Sequence, residues 1–144
     1  MKPSYMMTLL AGCLTASPAF FIPLPNLIIV LLVVFLPIFI LFLVLSFRLF
    51  DRLLNNQFTH AHEEWEQQGS LSGYFYSPPG SRKASRRTLG DKFSRWLTDP
   101  PSWIDTDHSA NLYWWFNFTA WLTVLAGIPI LVGTVRLLLA LLPK

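Results

Sequence analysis

Two long uncharged stretches dominate the pattern of hydrophobic and polar positions along the chain. Residues 27–47 contain no Asp, Glu, Lys, Arg or His, and the same is true of residues 112–135. At about 1.5 Å per residue in a helix, either stretch crosses a hydrocarbon core of about 30 Å. The sequence therefore predicts two transmembrane helices, residues 26–47 and residues 112–136.

Residues at the ends of the two stretches support these boundaries. Arg48 directly follows the first stretch, and Trp114 stands near the start of the second, where interfacial aromatic residues belong. Pro37 lies inside the first stretch, and membrane helices accommodate proline with a kink. Two interpretations remain open after Arg136: an end of the helix followed by an apolar tail, residues 137–144, or a longer, tilted helix from which Arg136 snorkels.

The distribution of basic residues predicts the topology. The segment between the two stretches, residues 48–111, holds eight of the eleven Lys and Arg residues. Because positively charged residues stay on the cytoplasmic side, we expect a cytoplasmic loop with both termini outside. The predicted fold is an all-α membrane protein in which two transmembrane helices form a hairpin around a small, mostly helical loop domain. Residues 1–25 form an apolar N-terminal segment, read as a signal or an interfacial segment.

Composition agrees with this membrane assignment and limits the partners. Hydrophobic residues make up 53% of the chain and charged residues 13%, about half the share usual in soluble domains. The loop also holds eight acidic residues, so the net charge of +3 comes from Lys2, Arg136 and Lys144. We therefore expect membrane lipid as a partner and no nucleic acid.

The loop begins with a predicted continuation of the first helix. Four apolar residues follow one another at spacings of four, three and four, which is typical of one helix face: Leu54, Phe58, Ala61 and Trp65. The helix is expected to reach about Gln68, because Gly69 is suited to a left-handed cap.

Two further elements are predicted in the rest of the loop. Residues 70–81 read as a short extended piece and a Pro-Pro-Gly turn, without a sheet. Residues 88–97 read as a short helix that begins with a capping box of Thr88 and Asp91. Its apolar face is Leu89, Phe93, Trp96 and Leu97, and its polar face is Asp91, Lys92 and Arg95.

Small residues recur every fourth position in the second predicted span. Thr119, Thr123 and Gly127 form this stripe, which allows close helix packing. We expect it to contact the first span, a second copy of the chain or a partner protein.

A basic run in the loop is the candidate surface for lipid or partner contact. It consists of Arg82, Lys83, Arg86 and Arg87, and it precedes the apolar side chains of Phe93 and Trp96. Basic residues beside aromatic ones favour anionic headgroups. The alternative is a plain solvated loop.

Two motifs suggest further chemistry. His60 and His62 lie among glutamates, but two positions apart on an unbroken helix they point in different directions. A metal ion would need a further ligand, such as His108, and a solvated face with His–Glu pairs is the favoured interpretation. Cys13 follows a lipobox-like Leu-Ala-Gly, although the apolar stretch before it is short for a signal peptide. We predict no metal, no cofactor and no catalytic residue.

The layout resembles small two-span bacterial inner-membrane proteins such as the universal stress protein B family. The shared features are two terminal spans, a basic loop and a glycine followed by aromatic residues, here Gly73, Tyr74 and Phe75. The resemblance implies a bacterial inner-membrane location and a role that is not enzymatic.

These features predict a non-enzymatic accessory or assembly subunit that acts through helix packing and loop contacts. Neither span carries Asp, Glu, Lys, Arg or His before Arg136, and proton-coupled transport usually requires such a residue. The alternative is an oligomeric pore-forming or lysis-type membrane protein. Such a protein would favour a polar stripe along one span, and neither span shows one clearly.

Overall fold

The described part of the chain is helical. The computed structural model describes residues 22–104 and 107–142, of which 76% are in helices and none in a strand. The helices are α1 (Leu24–Val30), a π-helical turn (Leu31–Phe35), α2 (Leu36–His60), α3 (His62–Gln67), α4 (Arg86–Thr98) and α5 (Asp107–Leu141). The predicted all-α class is confirmed.

Two helical stretches are long and apolar enough to span a membrane. They are Asn26–His60 and Ser109–Leu141, and each extends beyond the predicted boundaries. The second continues through Arg136, so the prediction of a separate apolar tail is wrong for residues 137–141. The longer helix, the other interpretation of these residues, is the one observed.

The π-helical turn ends two residues before Pro37. A proline ring crowds the carbonyl group four residues earlier and has no N–H to donate. The backbone N–H of Leu36 bonds to the carbonyl of Leu31, five residues back, which widens the helix at this point. The helix therefore accommodates Pro37 through a π-bulge, a recognised cause of helix bending.

The chain divides into two compact units. One consists of Val44–Ala120 and is called the loop unit below. The other, the span unit, consists of Met1–Leu43 and Trp121–Lys144, of which residues 22–43 and 121–142 are described.

Glycines allow close approach between helices in the span unit. A Cβ atom on Gly133 would overlap the side chain of Leu31, and one on Gly127 would lie 3.3 Å from Phe39 Cε2. Leu31 and Leu27 are buried there, with Val132 packed against them. The absence of a side chain at Gly133 thus leaves room for Leu31.

An aromatic cluster forms the core of the loop unit. Phe50 of α2 is fully buried, and its ring centroid lies 5.1 Å from that of Trp96 and 6.0 Å from that of Phe116. The core draws on three helices: α2 supplies Phe50, Leu53 and Leu54, α4 supplies Leu89 and Trp96, and α5 supplies Phe116. The predicted apolar face of α4 is confirmed, since Leu89 and Trp96 are buried and Phe93 and Leu97 pack against them.

The predicted unbroken helix to Gln68 is wrong at Ala61. Ala61 has a φ of −134° and a ψ of 51°, which are not helical, so α2 ends at His60 and α3 begins as a separate helix at His62. Beyond the break the Trp65 indole is buried and donates a hydrogen bond of 3.3 Å to the carbonyl of Leu71. Gly69 takes a left-handed φ of +91°, as predicted.

The start of α4 differs from the predicted capping box. The helix begins at Arg86, because Ser85 provides the N-cap and its Oγ accepts the N–H of Thr88 at 3.1 Å. Thr88 is therefore inside the first turn. Before this helix, Leu71 and Arg82 form an isolated parallel bridge, and Gly80 turns the chain with a φ of +76°.

Candidate functional site

Asp51 accepts hydrogen bonds from three consecutive backbone amides. This residue of α2 is 5% exposed. Its Oδ1 accepts the N–H of Tyr74 at 2.7 Å, and its Oδ2 accepts those of Phe75 at 2.5 Å and Tyr76 at 3.1 Å. Successive amides that converge on one anion form a concave binding site. The carboxylate of Asp51 occupies it and fastens the loop to the helix.

Gly73 makes this close approach possible. We call residues 73–76 the aromatic turn; the N–H of Gly73 closes it by donating to the carbonyl of Tyr76 at 2.7 Å. A Cβ atom on Gly73 would overlap Oδ1 and Cγ of Asp51. Glycine is therefore required here for space.

The aromatic turn places its side chains on opposite sides. The Tyr74 ring stacks on Phe47 at 4.2 Å between centroids, whereas Phe75 is 66% exposed. Burial and the nearby charge of Asp51 raise the pKa of the Tyr74 hydroxyl, so it stays protonated at neutral pH. The packing of Tyr74 and the hydrogen bonds to Asp51 thus hold the turn in place, while the Phe75 side chain stays exposed.

Lys92 occupies a buried polar position in α4. It is 7% exposed, so its predicted place on the polar face is wrong. Its Nζ donates to Gln57 Oε1 at 3.0 Å, and Gln57 Nε2 in turn donates to Gln68 Oε1 at 3.1 Å. Its Nζ also lies 4.9 Å from the Trp96 ring centroid. The long apolar stem of the lysine side chain packs favourably in such a buried position.

A cavity of about 390 Å³ opens beside Lys92. Burial, and secondarily the charge of Arg95, lower the pKa of Lys92 to about 8. The cavity is lined by Gln67, Gln68, Leu71, Thr88, Asp91, Lys92, Arg95 and Trp96. A lysine with such a pKa is charged at neutral pH and titrates just above it.

The lowered pKa of Lys92 predicts a loop unit that becomes more stable as the pH rises. The unfolded chain keeps the Lys92 proton up to about pH 10.5, whereas the folded chain loses it near pH 8. The unfolded state therefore binds more protons between these values, and the free energy of unfolding increases with pH there. We expect a gain of roughly 2 kcal/mol between about pH 7 and 9.5.

Thermal unfolding of the full chain in detergent, followed by tryptophan emission, measures this change. Lys92→Gln is expected to remove the gain. The matched control is Lys83→Gln, because Lys83 is exposed. An equal gain in both variants would show that other groups cause it.

The predicted lipid-contact residues separate into two groups. Arg82, Lys83, Arg86 and Arg87 are exposed. Trp96, in contrast, is buried, and Phe93 lies 5.3 Å from Phe50 between ring centroids. Trp96 is thus part of the loop core and Phe93 is partly buried against it, so contact of these two side chains with lipid or a partner stays a prediction.

The predicted packing stripe is divided between the two units: Thr119 belongs to the loop unit, and Thr123 and Gly127 belong to the span unit. Thr119 and Thr123 are buried, and Thr119 Oγ1 donates within its own helix to the carbonyls of Trp115 and Phe116, at 3.0 and 3.1 Å. Gly127 faces Phe39 in the span unit. The sequence pattern missed Gly133, whose spacing from Gly127 does not continue the four-residue repeat.

The residues considered for metal binding show one ion pair. His62 Nε2 lies 3.3 Å from Glu66 Oε1, the predicted pairing along an exposed face. Within residues 22–104 and 107–142, no three His, Cys, Asp or Glu side chains come together. The side chain of His108 and all of Cys13 lie outside what the structure describes.

Comparisons with family models, curated proteins and solved structures gave no match. The resemblance to the universal stress protein B family stays a prediction, and function is argued from the geometry.

Proposed function

We propose that this chain is a small integral protein of the bacterial inner membrane that acts as a non-enzymatic accessory or assembly subunit. The carrying observation is the loop-unit core, which is built on segments of both apolar helices. Phe50 lies just after the uncharged part of the first helix, and Phe116 lies near the start of the second. The loop unit is thus a folded platform that both apolar helices carry.

Polar contacts support a rigid platform. The Tyr113 hydroxyl of α5 donates to the carbonyl of Trp96 in α4 at 2.7 Å. The Asp51 carboxylate is occupied by the three amides of the aromatic turn. These groups serve the fold, and a rigid surface loses little conformational entropy on binding.

The outer surface of the platform has the composition of an interaction site. Phe75 is a large exposed aromatic side chain, and four exposed basic residues follow in the same loop: Arg82, Lys83, Arg86 and Arg87. Aromatic residues and arginine are enriched where proteins bind one another. We propose a partner protein in the same membrane, with the loop cytoplasmic, both termini outside and the spans in a hairpin.

Site-specific photocrosslinking in membranes of the native host tests the proposed function. A photoreactive phenylalanine at position 75 or 87 is expected to yield one defined protein adduct. The same probe at Glu63, an exposed position on α3, is the control and should yield none. The partner protein found in the adduct should also co-purify with the chain that carries no probe, and it should be lost from the Phe75→Ala variant.

Other outcomes of this experiment contradict the proposal. Adducts with lipid alone from both positions would mean that the platform rests on the bilayer. A ladder of adducts between copies of the chain would favour a pore-forming oligomer. Equal protein adducts from position 63 would show random collision.

A further inference from the structure

Lys92 carries a buried positive charge without a carboxylate partner among the described residues. Its ammonium has three N–H donors. One of them bonds to Gln57, and the ammonium also faces the Trp96 ring. Neither contact is an anion, and burying a charge without an opposite one is costly. The cavity beside Lys92 is the space from which a counter-charge would come.

The cavity brings a second cation and neutral polar groups to the same place. Arg95 lies three positions after Lys92, about one turn along α4, and its charge adds to the effect of burial in lowering the pKa of Lys92. Thr88, on the preceding turn, and Gln68, from the end of α3, line the same space. Two cations with hydroxyl and amide groups around them match the acceptor oxygens of a tetrahedral oxyanion.

We propose that this cavity binds a phosphate group, held between the Lys92 ammonium and the Arg95 guanidinium. Its volume of about 390 Å³ exceeds that of a bare ion and falls in the range of small-molecule sites. The ligand is therefore a phosphate monoester or diester, either a soluble compound or a lipid headgroup. This inference is independent of the proposed function.

Asp91 provides a test in which the affinity for phosphate should change in the opposite direction to that caused by loss of either cation. Its exposed carboxylate lines the same cavity and opposes an anion there. The charged groups of the cavity are therefore Asp91, Lys92 and Arg95, while α2 and α3 contribute the neutral side chains of Gln57 and Gln68. Removing Asp91 should strengthen phosphate binding, whereas removing either cation should weaken it.

Calorimetry on the full chain in zwitterionic nanodiscs measures the soluble ligand. Sodium phosphate is titrated at pH 7 against sodium chloride of equal ionic strength. Arg95→Gln is expected to weaken phosphate binding about tenfold, as for loss of one charge-assisted hydrogen bond. Asp91→Asn should strengthen it a few-fold, and Arg52→Gln, an exposed residue of α2 outside the cavity, is the unchanged control.

Nanodiscs that contain phosphatidic acid distinguish the two sources of the phosphate. A rise in unfolding temperature over phosphatidylcholine alone, lost in Arg95→Gln and kept in Arg52→Gln, identifies a lipid headgroup. Saturable binding of inorganic phosphate with the same variant pattern identifies a soluble compound. Lys92→Gln is a second variant, and binding should also fall as pH rises through 8 in the parent chain.

Three results overturn the proposal. One is an equal response to chloride and phosphate together with no effect of phosphatidic acid. Another is equal binding by Arg95→Gln and Arg52→Gln. The third is weaker phosphate binding by Asp91→Asn. Because Arg95 and Asp91 are exposed, their variants are expected to fold normally.

Discussion

Replacing Phe50 by alanine is expected to lower the free energy of unfolding of the loop unit by about 4 kcal/mol. Phe50 is completely buried and lies within 6.0 Å, between ring centroids, of four aromatic rings: those of Tyr74, Phe93, Trp96 and Phe116. These four rings belong to three elements, the aromatic turn, α4 and α5, and cannot all close the gap together. The cost therefore includes both lost burial and a cavity.

Phe75→Ala is the matched control, because it removes the same atoms from an exposed position. It should change the free energy of unfolding by less than about 0.5 kcal/mol. Denaturant unfolding of the full chain in detergent, followed by tryptophan emission, measures both variants. Equal destabilisation by the two substitutions would show that Phe50 is not at the centre of the core.

Replacing Asp51 by alanine is expected to cost about 3 kcal/mol and to open the aromatic turn. The variant leaves the amides of Tyr74, Phe75 and Tyr76 without their acceptor. An unsatisfied buried donor costs about 1–3 kcal/mol. The total for the three amides is smaller than three such penalties, because water reaches the exposed side of the turn. Hydrogen exchange at residues 74–76 should become faster than in the parent chain.

Asp91→Ala is the control for Asp51→Ala, because it removes an exposed carboxylate from the same unit. Its exchange at residues 74–76 should match the parent chain. Unchanged protection of these amides in Asp51→Ala would contradict the role assigned to the carboxylate.

Gly73→Ala tests the same contact from the other side. Its added methyl group overlaps the carboxylate of Asp51 and should also open the turn. In the Asp51→Ala background the overlapping atoms are gone, so the cost of Gly73→Ala should fall. The two substitutions are therefore expected to be less destabilising together than the sum of their separate effects. Strict additivity would mean that Gly73 matters for another reason.

Local patterns in the sequence were sufficient to predict the helical elements. Uncharged stretches marked both long helices, and the spacing of Leu89, Phe93 and Trp96 marked the buried face of α4. Helix ends were less accurate, because Ser85 competes with Thr88 for the N-cap and Ala61 interrupts an otherwise regular stripe. Both differences come from backbone conformations that hydrophobic periodicity does not encode.

The polar sites could not be predicted, because their partners are distant in sequence. Asp51 meets amides 23 to 25 positions away, and Lys92 meets Gln57 at a separation of 35. On a helical projection Lys92 lies beside Asp91 and reads as polar surface. Only the packing of α4 against α2 shows that this position is inside.

The candidate interaction surface was predicted in part. The basic run is exposed, as its charged residues predict. The exposure of Phe75 follows from the hydrogen bonds that hold the aromatic turn on Asp51. Trp96 was assigned to the same surface because an amphipathic helix beside basic residues resembles a membrane-binding element. In the structure Trp96 packs instead against the apolar side chains of the loop core.

The contribution of Phe116 to the loop core sets an order of events during synthesis. Phe50 and Phe116 are both fully buried in one cluster, yet they are 66 positions apart in the chain. At about 5–20 residues per second, the ribosome needs roughly 3 to 13 seconds to make the second after the first. Until then the aromatic side chains of the loop have no complete core. A nascent chain therefore finishes its platform only after the start of its second apolar helix has been made.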